Sequence, residues 1–362
     1  MPEMDRGREV VGTVVAVQAN FYRVRFHNSD MPQGELLCTR RSRLKKIGQR
    51  VMVGDRVRVE DPDWAGGRGA IAEVYPRRTE LSRPPVANAD RILLVFSAGQ
   101  PSLDPHQLSR FLVKAESTEL SLLLCLSKCD LVSTQWQEQW EQRLEEWGYS
   151  PLWISTVSQE GIATLKQELA EGVTIVAGPS GVGKSSLINE LIPQLRLRVA
   201  NVSGKLQRGR HTTRHVELFQ LPTGGLLADT PGFNQPDLDT SPEELARYFP
   251  EARQRMESES CQFKDCLHTD EPHCSVRGEW ERYEHYQIFL QEAIAQQEQR
   301  DRTRDPESVV KRKTKRKGDR YCEPKLELKK YRRLSRRKQH QLLEEQELDE
   351  LYDERELEDI VD

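Results

Sequence analysis

No stretch of this 362-residue chain is apolar for long enough to cross a bilayer. Spanning takes about eighteen such residues or more, whereas the longest runs, ILLVF at 92–96 and LLLCL at 122–126, have the length of buried strands. The opening residues, MPEMDRGREV, hold no apolar stretch of the signal-peptide kind. The expectation is therefore a cytoplasmic protein with no membrane partner. A regular disulfide framework is missing as well: the seven cysteines are an odd number. Three of them, Cys261, Cys266 and Cys274, crowd into one window, which in a reducing compartment suggests metal more than disulfides. No internal repeat occurs, and without a sustained heptad nothing demands more than a monomer. Charge is not evenly spread either. The net charge of -4 hides seventeen Lys and Arg against six acids over 301–340, then eleven acids against Arg355 alone over 341–362. Such a basic block is a candidate polyanion-binding arm, and the acidic block can shield it or keep it soluble.

What is present divides into four regions. Residues 1–83 read as five short strands, VVGTVVAV, FYRVRF, GELLCT, DRVRVE and GAIAEVY, separated by turn signals with no intervening helix. That pattern predicts a small barrel of the OB or SH3-like kind. Residues 84–249 alternate strand and helix, which implies a parallel sheet with helices on both faces. Within it, VELFQL and GLLADT, joined by Pro222-Thr223-Gly224-Gly225, predict a hairpin on that sheet. Residues 250–300 read as helical around the cysteine window. Residues 301–362 are a charged tail, basic then acidic, predicted to be exposed helix or without fixed structure.

The sharpest motif is GPSGVGKSS at 178–186, after the apolar strand VTIVA and at the head of a helical pattern. That context makes it a P-loop. Its members Gly178, Pro179, Ser180, Gly181, Val182, Gly183, Lys184, Ser185 and Ser186 would wrap a phosphate chain, with free N–H groups at a helix start. Lys184 would reach the terminal phosphates and Ser185 would hold Mg²⁺. Forty-five residues on, Asp229-Thr230-Pro231-Gly232 closes an apolar run. Asp229 would reach the Mg²⁺ shell through water, and the Gly232 N–H would sense the γ-phosphate. Base choice falls to Ser127-Lys128-Cys129-Asp130 and Ser155-Thr156, each closing a strand. The Asp130 carboxylate can accept two hydrogen bonds from guanine, a pattern adenine cannot offer, and Lys128 would cover the base face. Backbone N–H groups near Ser155 and Thr156 could donate to the guanine carbonyl.

The base-reading motifs precede the P-loop, the reverse of the order in ordinary GTPases. Together with RGRHTT at 208–213, DTPGF at 229–233 and CQFKDCLHTDEPHC at 261–274, this order resembles the small ribosomal subunit biogenesis GTPases, the RsgA family. The likeness spans about residues 10–300 and leaves the tail outside. It implies an OB-like barrel, a circularly permuted α/β P-loop GTPase and a helical zinc-binding domain. It also implies GTP and GDP as ligands, with the small ribosomal subunit and its rRNA as partners that stimulate hydrolysis. Two positions depart from the usual pattern: Ser127 stands where the base-reading motif begins with Asn, and Phe233 where Ras-like enzymes carry a water-positioning Gln. For the water the resemblance implies a surrogate, His211, with His215 the alternative. Thr213, with Thr212 the alternative, would cap Mg²⁺.

The cysteine window reads Cys261-x₄-Cys266-x-His268-x₅-Cys274. Three thiolates and an imidazole make a closed tetrahedral zinc set, structural because no position is left for water. His273 stands beside Cys274, but the short Cys-x-His link favours His268. Arg40, Arg41, Arg43, Lys45 and Lys46 form a basic loop on the barrel suited to RNA phosphates.

Overall fold

The computed structural model describes residues 10–26, 34–82, 84–195, 216–229, 237–303, 310–314 and 320–324. Short runs rich in β-branched and apolar residues set the first five strands: β1 (Val10–Gln18), β2 (Phe21–Phe26), β3 (Glu35–Arg40), and, after α1 (Ser42–Lys46), β4 (Arg56–Asp63) and β5 (Arg68–Val74). β2, β3 and the first half of β4 bury every second residue on one face, whereas β1 is buried continuously from Gly12 to Ala16. β1 pairs antiparallel with both β2 and β4, and β3 runs parallel to β5, so the order β1-β2-β3-β5-β4 closes on itself. That closure is the five-stranded OB arrangement. Val14, Val24, Leu36, Val57, Val59 and Ile71 fill it. α1 corrects the expectation of strands alone. Leu44 plugs into the barrel core, while Arg43, Lys45 and Lys46 sit in the last turn, where cations suit the helix dipole.

A short hairpin, β6 (Glu80–Ser82) with β7 (Pro85–Ala87), leads to the α/β part. Here lie β8 (Arg91–Ser97), α2 (Pro105–Glu116), β9 (Ser121–Ser127), α3 (Thr134–Glu146) and β10 (Leu152–Ile154). There follow α4 (Ile162–Glu168), β11 (Val173–Ala177), α5 (Lys184–Leu191), β12 (Glu217–Gln220) and β13 (Leu226–Asp229). The strand order is β10-β9-β8-β11-β13-β12, parallel except for β12. Strands covered on both faces should be near-continuously apolar, and β8 is so from Ile92 to Phe96. Ile92, Leu94 and Phe96 pack towards α2 and α3, and Leu93 and Val95 towards α4 and α5. The hairpin expected from VELFQL and GLLADT is β12–β13.

The barrel and the α/β sheet are one continuous sheet, joined where β1 meets β12 at Ala16↔Glu217. A bulge in β1 between Val14 and Ala16 marks the junction. Val14 faces the barrel core and Val15 the α/β core, so one strand serves both.

After α6 (Pro250–Ser258) and the cysteine window, α7 (Tyr283–Thr303) packs Tyr286, Phe289 and Leu290 with Phe249 and with Val113 of α2. Arg282, fully buried, bonds the Glu251 carboxylate and lies over the Trp147 and Phe249 rings. Residues Met1–Gln296 form one unit and Gln297–Asp362 a second. In the second, β14 (Val310–Thr314) and β15 (Arg320–Pro324) pair antiparallel. This departs from the helix or unstructured tail expected of so charged a segment. Val310, Thr314 and Tyr321 supply strand-forming residues.

Candidate nucleotide and metal sites

The register aligns the carboxyl ends of β8, β9, β10, β11 and β13 on one edge of the sheet, the edge where open α/β sheets bind ligands. β11 delivers the P-loop there. Gly178 has φ +137°, and a Cβ on it would lie 2.1 Å from the Val95 carbonyl oxygen, so only glycine lets the chain leave the strand. Gly183, at φ +99°, caps α5. Lys184 at the helix start donates to the carbonyls of Gly178 (2.7 Å) and Pro179 (2.5 Å), which holds its amine inside the loop a phosphate chain would occupy.

The SKCD segment leaves β9 beside it. Ser127, buried, directs its hydroxyl to the Val182 carbonyl at 2.6 Å and lies 3.0 Å from the Phe96 carbonyl. Lys128 is left-handed, φ +59°, a strained geometry for a side chain with a Cβ. That turn sends its amine to the Gly181 carbonyl at 2.9 Å and to the Gln100 carbonyl. Burial lowers the Lys128 pKa, opposed by the charge of Asp130. Asp130 itself is exposed, with its carboxylate available to a base. Cys129 is buried with its sulfur 3.5 Å from Glu160 Oε2; burial, and then this bond, push the thiol up to about 11. It is packing, not a reactive thiol.

Ser155 follows β10. Its N–H is taken by the Glu160 carbonyl, and its Oγ accepts from the N–H groups of Val157 and Ser158. Ser155 therefore shapes the loop that carries Thr156. Asp229 ends β13, with its backbone opposite Val176. His211, Thr212, Thr213, His215, Gly232 and Phe233 lie outside the described residues.

Sequence reasoning passed over the turn after β8. Gln100 holds Lys128, and Gly99 and Gln100 flank a cleft of about 790 Å³ with Leu131, Trp136 and Trp140. Its position at a strand's carboxyl end was the available signal.

The second constellation is metal-shaped. Cys261, Cys266, His268 and Cys274 bring their ligand atoms within 4.8 Å of one another, and His273 is not among them. His268 Nδ1 lies 3.6, 3.4 and 3.3 Å from the sulfurs of Cys261, Cys266 and Cys274, and Cys261 is 3.9 Å from Cys274. Zn–S bonds of about 2.3 Å and Zn–N of about 2.0 Å in a tetrahedron require edges of roughly 3.5–3.8 Å. The residues present fit zinc. Burial pushes the Cys266 thiol up to about 12, a cost that a bound cation offsets. Outer partners hold the loop: Tyr286 donates to the Leu267 carbonyl, Tyr283 to that of His268, and Glu271 accepts from Leu267 and Thr269 N–H.

On the barrel, Arg43, Lys45 and Lys46 are exposed, while Arg40 is turned to the Gln49 carbonyl and the Tyr22 ring, and Arg41 pairs with Asp61. Among the described residues no helix is long and apolar enough to cross a membrane.

Comparison with known proteins gives one answer at three levels. The family model described as RsgA GTPase matches residues 74–239. A relative from Trichormus variabilis, described as small ribosomal subunit biogenesis GTPase RsgA, is 62% identical over 357 residues, covering 93% of this chain and 96% of its own. One from Synechocystis sp., with the same description, is 55% identical over 349 residues, covering 92% and 94%. Among solved structures, YjeQ from Thermotoga maritima superposes with a TM-score of 0.68 at 32% identity, covering 79% of this chain and 99% of that one. YloQ, described as a circularly permuted GTPase, gives 0.67 at 31%, covering 82% and 99%.

Proposed function

The chain belongs to the RsgA family of GTPases, and on that premise we propose that it hydrolyses GTP to GDP and phosphate during late maturation of the small ribosomal subunit. One observation carries the reading. Ser127 and Lys128, from a motif about fifty residues before the P-loop, bond the Val182 and Gly181 carbonyls, so base-reading and phosphate-binding segments form one site. Permutation leaves such a site intact because every loop comes from the same edge of the sheet.

In this reading Asp130 accepts from guanine while the Lys128 stem covers its face. Lys184 leaves its loop carbonyls for the β- and γ-phosphates, and the P-loop N–H groups bind the rest. Mg²⁺, held by Ser185 and Thr213 with Asp229 behind, would supply charge neutralisation at the phosphates. The Gly232 N–H senses the γ-phosphate, and His211 orients the attacking water in place of the glutamine that Phe233 replaces. Cys261, Cys266, His268 and Cys274 hold one structural Zn²⁺. The protein works as a cytoplasmic monomer. Its other partner is the small subunit, gripped by rRNA contacts at Arg43, Lys45 and Lys46 and by the basic tail, and these should weaken steeply with salt.

The experiment is phosphate release from GTP and ATP, with and without purified small subunits. Slow GTP-only turnover that rises sharply with subunits is expected; equal ATP turnover would overturn the base assignment, and indifference to subunits the ribosomal one. Asp130→Asn should lower GTP turnover on the order of a hundredfold and admit xanthosine triphosphate, whose base matches the altered pattern.

A further inference from the structure

The outer face of β2 and β3 and the end of the β12–β13 hairpin share one row of residues. Across five strands the register reads Leu37 (β3), Arg23 (β2), Ala16 (β1), Glu217 (β12) and Asp229 (β13). Ala16 is small, so the Arg23 side chain passes over it and pairs with Glu217. Two residues along β2, on the same face, Arg25 reaches Gln220 at 3.2 Å. Both arginines also meet Glu35 of β3, Arg25 Nε at 2.7 Å and Arg23 Nε at 3.7 Å. A single charged lattice therefore ties the barrel to the strand that follows residues 196–215 and that lies in register with Asp229.

The same face is built to take RNA. In OB barrels the strand 2–3 face binds oligonucleotides. Here it presents Phe21, 50% exposed, and Leu37, 47% exposed, beside Arg23 and Arg25. Exposed aromatic surface next to cations is the pairing that stacks bases and holds a phosphate backbone. Arg23 and Glu217 are each 39% exposed, so phosphate can reach the arginine and water can take the released carboxylate.

We propose that Arg23 and Arg25 couple occupancy of the β2–β3 face to the catalytic edge. With the face empty they hold Glu217 and Gln220 and restrain β12; when the phosphates of single-stranded RNA bind there they are drawn off, and the hairpin carrying Asp229 is released. Arg23, Arg25 and Glu217 are positioning residues, and none touches the GTP in this scheme. The inference rests on the reading that subunit RNA engages the barrel, and it names the link through which that contact reaches the GTPase site.

The test uses the full chain and three readouts: affinity for a short fluorescent single-stranded RNA at fixed salt, GTP turnover alone, and turnover with purified subunits. Glu217→Gln removes the nearer of Arg23's two carboxylate partners, so RNA should bind about two- to fivefold more tightly. Turnover alone should rise and stimulation by subunits should shrink. Arg23→Gln should release the same restraint but weaken RNA binding. The exchange R23E with E217R rebuilds the pair reversed; turnover alone returns to the parent's level while RNA affinity stays low. A pair with only a stabilising role moves the melting temperature and leaves RNA affinity of Glu217→Gln unchanged, and that result overturns the proposal, as does a change in RNA affinity without a change in turnover. If the parent itself ignores subunits, the ribosomal reading falls and the coupling with it; a stimulated parent with an unaltered Glu217→Gln removes the coupling alone.

Discussion

Ser127 asks one hydroxyl hydrogen to serve two carbonyls, at Val182 and Phe96, and it can donate to only one at a time. The shorter bond goes to the P-loop. Ser127→Ala should leave the buried Val182 carbonyl without this donor and weaken GDP binding roughly fivefold, since one such bond is worth about 1 kcal/mol. Ser127→Asn supplies two N–H donors and should move affinity the other way; calorimetric titration of GDP checks both. His285 is a second residue whose behaviour follows from what surrounds it. Burial, then the neighbouring charges of His106 and Arg282, hold its pKa below the ordinary value, with Glu281 opposing and Arg143 adding to the fall. Its Nδ1 is buried and has no hydrogen-bond partner among the described residues. The folded state thus takes up the proton later than the unfolded chain. The stabilisation is complete above about pH 6.5 and is lost as pH falls through the lower folded value. Thermal melts between about pH 8 and pH 5 should show that fall, and His285→Phe should flatten it.

At the scale of elements, charged contacts tie α6 and the residues just before α7 to each other and to α2 and α3. Arg282 pairs with Glu251, Arg143 and the Trp147 indole both meet Glu281, and Arg253 reaches Glu116. Removing one partner of a buried pair leaves a charge with no water to receive it. Arg282→Ala should therefore cost about 3–5 kcal/mol, read as a lower denaturation midpoint, where Arg143→Ala at the exposed edge should cost less than about 1 kcal/mol. The short β-branched run VVGTVVAVQ made β1 legible as a strand; that Val14 and Val15 enter two different cores was not, because a strand shows two faces and does not say what covers each. The one-turn α1 and the tail hairpin escaped for a related reason. Segments this short and charged carry little periodic signal, and in α1 the conformation is anchored by the burial of Leu44.

For the whole molecule, the metal is expected to hold the cysteine window without building the nucleotide site. The four ligands lie between α6 and α7, and the P-loop takes its shape from β8, β9 and β11. Chelation at neutral pH should strip one zinc per chain and expose residues 259–276 to protease, while GDP affinity stays within about twofold. Metal analysis with limited proteolysis reads this out. Loss of GDP binding in step with zinc would mean that the two sites fold as one.

Chemistry and local form were legible in the chain by itself. A P-loop needs glycines at fixed offsets, and a zinc set needs thiolates and an imidazole at short spacing. Both demands act within about fifteen residues, so the residues state them directly. The choice of His268 over His273 was open to the same local reasoning. The tertiary structure decided how distant segments meet. Nothing in FYRVRF says that Arg23 reaches Glu217, 194 positions away, over the one small residue between them. Nor does SKCD say that its serine rests on the Val182 carbonyl, 55 positions on. Register across a sheet is set by what the neighbouring strands bury, and that is a property of the packed whole.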